Sequence, residues 1–72
     1  MTAIETVWER LKMSARDYAT QGVRPSSRHA EAMVSQFIRQ ADVDPIPPPE
    51  IVELYAREML QMIDDFMDKS RR

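Results

Sequence analysis

Apolar residues recur every three or four positions along three stretches of this chain, and two short segments interrupt the pattern. In the first stretch Ile4, Trp8, Leu11, Ala15 and Tyr18 follow at spacings of four, three, four and three, which is the seam of an amphipathic helix. Val7 and Ala19 widen the seam, and Met13 falls on the opposite face. Thr2 and Glu5 stand at capping-box spacing, where hydroxyl and carboxylate can satisfy free backbone N–H groups reciprocally. Gly22, just past the last periodic residue, suits a left-handed helix end. The pattern predicts a first helix over about residues 3–21.

Pro25 cannot continue that helix, and Ser26 or Ser27 can cap the next one. Ala30, Met33, Val34, Phe37, Ile38 and Ala41 then form an inward stripe, with Arg28, Ser35 and Arg39 opposite, predicting a second helix over about 27–41. Residues 42–48 break the pattern again. Pro45, Pro47, Pro48 and Pro49 remove N–H donors and favour extended backbone, so this segment is a stiff linker. Proline is well tolerated at a first helical position, and Glu50 complements a helix amino terminus, predicting a third helix over about 49–68. Lys69-Ser70-Arg71-Arg72 suits the carboxyl end of that helix.

The third helix has the widest apolar face. At about 100° per residue, Val52, Ala56, Met59, Ile63 and Phe66 centre it, Ile51, Tyr55 and Met62 extend one flank, and Leu60 and Met67 extend the other. A stripe a little wider than about 100° seats a helix on one surface, so the surplus calls for a second. A chain of 72 residues without cysteine and with one histidine lacks the disulfide and metal routes to extra stability, leaving helix packing and association. The expected architecture is therefore all-α, a single small domain: a three-helix bundle, or a helical hairpin plus a third helix, completed by homodimerisation.

Composition narrows the class. Hydrophobic residues make up 43% and charged residues 31%, the balance of a globular chain and not of a disordered one. No apolar run approaches the roughly 20 residues of a membrane span, and the first residues have neither a basic region nor an apolar stretch, so a cytoplasmic protein without membrane contact is expected. Residues 1–41 carry six Lys/Arg against four Asp/Glu, and residues 42–72 carry four against eight. Such a gradient favours encounter with a basic partner or antiparallel self-association, although exposed charge contributes little to affinity.

Candidate chemistry is sparse. His29, Glu31 and Met33 are two residues apart and point to different helix faces, so they do not converge on a metal. Paired acids such as Asp64 and Asp65 fall on the wet face, and no nucleophile, metal set or phosphate loop appears. An enzyme and a cofactor are not expected. Arg24, Ser26, Ser27, Arg28 and His29 form an anion-binding candidate at a helix start, with Arg39 on the same polar side. On that basis a dimeric nucleic-acid-binding regulator is the alternative reading, against which stand the net charge of −2 and a second helix poor in long polar side chains. The leading expectation is a non-enzymatic module that binds another protein and modulates it, as an inhibitor, anti-activator, adaptor or chaperone. Its surface is Ile51, Leu54, Tyr55 and Met62, one contiguous patch with an aromatic anchor. A short, motif-free chain of this kind suits a phage or mobile-element modulator.

Overall fold

A computed structural model describes residues 2–70 as three helices: α1 (Ala3–Gln21), α2 (Ser27–Gln40) and α3 (Pro49–Ser70). Arg71 and Arg72, expected beside the carboxyl end of the third helix, lie outside the described residues. Each boundary has a chemical cause. The Thr2 hydroxyl accepts the Glu5 N–H at 3.2 Å, and the Ser26 hydroxyl accepts the His29 N–H at 3.1 Å, so Ser26 is the serine that caps α2. Pro49 opens α3, and the Pro48 carbonyl accepts the Ile51 N–H at 3.0 Å.

The two helix stops share one device and differ in the residue that makes it. Gly22 adopts φ +71°, and the next N–H, from Val23, reaches back to the Tyr18 carbonyl at 2.9 Å. Asp42 takes the same left-handed region at φ +54°, with the Val43 N–H on the Ile38 carbonyl at 3.3 Å. A side chain there costs backbone strain, which aspartate tolerates better than most. A Cβ on Gly22 meets no atom within 4 Å, so only the backbone opposes it. Gly22→Ala is therefore expected to lose about 1 kcal/mol and Asp42→Gly to gain about 0.5–1 kcal/mol. Urea denaturation of both variants checks the opposite signs.

The helices run up, down and up. The Arg10 guanidinium meets the Gln40 side chain at one end of the α1/α2 pair, and Tyr18 meets His29 and Met33 at the other, so α1 and α2 are antiparallel. Trp8 lies against Tyr55 and Arg16 against Phe66, so α1 and α3 are parallel. Helix α3 packs on both α1 and α2 more extensively than those two pack on each other. The buried core is Val7, Leu11, Ala15, Ala30, Val34, Ile38, Ala56, Met59, Leu60 and Ile63. On α1, Val7 is buried and Trp8 only half-buried, which turns the core face away from the Trp8 side of the expected seam.

This arrangement accounts for most of the breadth of α3. Tyr55 and Phe66 meet α1 on one side, and Asp64 meets the Arg24 turn on the other, while Ala56, Met59 and Ile63 fill the middle. The second surface that its wide face calls for is thus largely supplied within the chain. The molecule is flat, with extents of 41 × 25 × 14 Å. No described helix is long and apolar enough to cross a membrane.

Candidate protein-binding flank

Of the four residues expected to bind a partner, Tyr55 meets α1 at Trp8, and Leu54 lies on the solvent face of α3. Leu54 is 43% exposed, while Ile51, Tyr55 and Met62 are half-buried. Helical spacing places Ile51, Leu54 and Tyr55 together on one turn and Met62 two turns further on. The periodicity sets Trp8 on the inward seam of α1. It is half-buried there, packed on the edge of the core and against Tyr55, ring centroids 4.5 Å apart and planes tilted by 49°. Such a pair contributes about 0.5–1.5 kcal/mol beyond its buried area. Trp8 therefore joins the flank, and only the parallel course of α1 and α3 reveals it.

Charges of both signs flank this patch, Arg57 among them at three residues past Leu54. Glu50 and Glu58 lie four residues before and after Leu54 on α3, and Glu5 and Glu9 lie on the adjoining turns of α1. Lys12 pairs with Glu9 at 3.9 Å, a contact worth little because both side chains are more than half exposed. Further along the seam the Arg16 guanidinium lies 5.5 Å from the Phe66 ring centroid, covering that end with a cation.

The residues of the alternative reading divide between the start of α2, with Arg24, Ser27 and Arg28, and its far end, with Arg39. Arg24 donates to both carboxylate oxygens of Asp64, at 2.9 and 3.4 Å, so its charge is answered inside the molecule. Arg28 lines a cleft shared with Glu31 and Glu53. Arg39 lies eleven residues further along α2, about 16 Å away along the helix axis. Ser27 begins α2, and the adjacent Ser26 hydroxyl is already engaged by the His29 N–H. His29 turns to the other side of α2, its Nε2 3.1 Å from the Tyr18 hydroxyl, which also lies 3.4 Å from Sδ of Met33.

One concavity has no signal in the sequence pattern. It is an open cleft of 560 Å³ between α2, the proline linker and α3, lined in part by Arg28, Glu31, Ile46, Pro47, Val52 and Glu53. Ile46, 77% exposed, stands on its linker side because flanking prolines hold that segment out from the helices. Its floor is apolar and its charges are of mixed sign, with no histidine among them.

Comparison of the chain with protein-family models, characterised proteins and solved structures finds no match.

Proposed function

We propose that this chain is a small protein-interaction module that binds another protein through the α1/α3 flank and modulates it by covering part of its surface. The role is that of an inhibitor, anti-activator, adaptor or chaperone, and it requires no catalysis. The observation that carries this reading is the exposed Leu54 beside the packed Trp8–Tyr55 pair, with Ile51 and Met62 extending the apolar strip. An aromatic anchor next to an accessible aliphatic side chain is the arrangement that concentrates interface energy. Met13 is more exposed, at 67%, yet its helical neighbours Glu9, Lys12, Arg16 and Asp17 are all charged.

The test uses two exposed positions that the fold tolerates equally. Tagged wild-type protein, Leu54→Glu and Met13→Glu are used to recover partners from cells that express the chain. Partners retained by Met13→Glu and lost with Leu54→Glu place the interface on the flank. Retention of every partner by Leu54→Glu overturns the assignment. A homodimer is the other assembly this flank admits, since a domain this small buries only about 60% of the surface its unfolded chain exposes and is marginal alone. Light scattering decides between them: a dimer mass that Leu54→Glu halves gives the flank to a second copy, and a monomer mass leaves it for a different protein.

A further inference from the structure

We infer that the groove between α2 and α3 is the contact surface for a second copy of this chain, the two grooves meeting antiparallel about a two-fold axis. The cleft beside the proline linker continues into a second hollow of 170 Å³ whose lining includes Ser27, Ala56, Arg57 and Leu60, and Glu31 and Glu53 border both. Val52, Ala56 and Leu60 make one wall of this groove apolar from end to end. Ile46, 77% exposed, stands at its linker end.

The charges along the groove decide what fits over it. Helices α2 and α3 are antiparallel, since Ser35 and Pro49 border one end of the groove and Arg24 meets Asp64 beyond the other. From Glu31, Arg28 lies one turn toward the start of α2, and from Glu53, Arg57 lies one turn toward the end of α3, so both steps lead the same way. The groove therefore carries two carboxylates and, about 5 Å further along the helix axes, two guanidinium groups. Arg28 and Glu31, like Glu53 and Arg57, have the spacing of a pair within one helix. None of the four forms an ion pair among the described residues.

A second copy answers all four. With the axis crossing the groove between the two steps, Glu31 faces Arg28 of the second copy and Glu53 faces Arg57 of the second copy, and each contact occurs twice. The same operation carries Ile46 at the linker end of one groove toward the Leu60 end of the other. Parallel grooves would instead set like charges together. A uniformly basic or acidic segment would be attracted by one step and repelled by the next. Tyr55 faces α1, on the other side of α3, so this dimer leaves the α1/α3 flank free and the interaction role does not depend on it.

Sedimentation equilibrium of the full chain at low salt, over a concentration series, tests this. Wild-type protein is expected to dimerise, and Leu54→Glu should leave the dimer whole. Glu53→Arg should weaken it about ten- to a hundredfold, because like charges then face each other twice across the axis. Adding Arg57→Glu to that variant should restore the dimer, since the swap exchanges the two charges on α3 and opposite signs face again. That recovery also shows that Arg at position 53 does not unfold the chain. Wild-type protein that stays monomeric to millimolar concentration, a dimer that Glu53→Arg leaves unchanged, or a double variant as weak as the single one overturns the inference. A dimer dissociated by Leu54→Glu overturns it as well, and gives the second copy to the flank.

Discussion

Replacing Ile63 by alanine is expected to lower the melting temperature by about 10–40 °C, the largest effect of any single truncation in this chain. Ile63 is fully buried at the centre of α3, the helix on which both others pack. Truncating a buried isoleucine costs about 2–5 kcal/mol, depending on how far the neighbours close the gap. Here closure is opposed from two sides, because α3 cannot approach α1 without leaving α2. At roughly 0.05–0.15 kcal/mol per residue, the whole chain has only about 4–11 kcal/mol of stability from which to lose this. Thermal melts followed by circular dichroism read the shift directly. Met67→Ala, half-buried near the end of the same helix, supplies the contrast and should cost under about 1.5 kcal/mol. A shift below about 5 °C for Ile63→Ala would mean that α3 is not the element joining the bundle.

That central place of α3 separates what the sequence could reveal from what it could not. The helix limits were legible because each is set locally: Thr2 and Ser26 by their hydroxyls, Gly22 by its freedom at positive φ, and Pro49 by its fitness for a first turn. Expected and observed limits agree within one or two residues, with α2 ending at Gln40 and α3 running on to Ser70. The inward stripe was legible for the same reason, since Leu11, Ala15, Ala30, Val34, Ala56, Met59 and Ile63 follow the helical period and are buried.

Periodicity gives the angular width of a helix face but not which neighbour covers it. The breadth of α3 called for two surfaces, and nothing in the spacing of its residues could tell whether the second came from α1 or from another molecule. Trp8 and Tyr55 are 47 positions apart, and only the parallel course of their helices brings them together. Arg24 and Asp64 are likewise distant in sequence, so the pair that removes Arg24 from the basic cluster could not be foreseen. Leu54 needed no tertiary knowledge. It falls off the core face by helical geometry alone, and it is exposed.

Trp8→Ala is expected to destabilise the fold by about 2 kcal/mol, second only to truncations in the buried core. Truncating a fully buried tryptophan costs about 3–5 kcal/mol, and roughly half of that applies to a ring that is half-buried. Part of the loss belongs to Tyr55. Once Trp8 is gone, its ring has lost a neighbour at 4.5 Å, and a double-mutant cycle of Trp8→Ala with Tyr55→Ala should return a coupling of about 0.5–1.5 kcal/mol. Urea denaturation monitored by circular dichroism is the appropriate measurement, because Trp8 is the sole tryptophan and its fluorescence disappears with it. An unanchored surface ring would instead cost no more than about 0.5 kcal/mol and show no coupling. That result would remove the rigid platform beside Leu54, since a partner would then have to order both rings as it bound, at about 0.5–1.5 kcal/mol for each immobilised side chain.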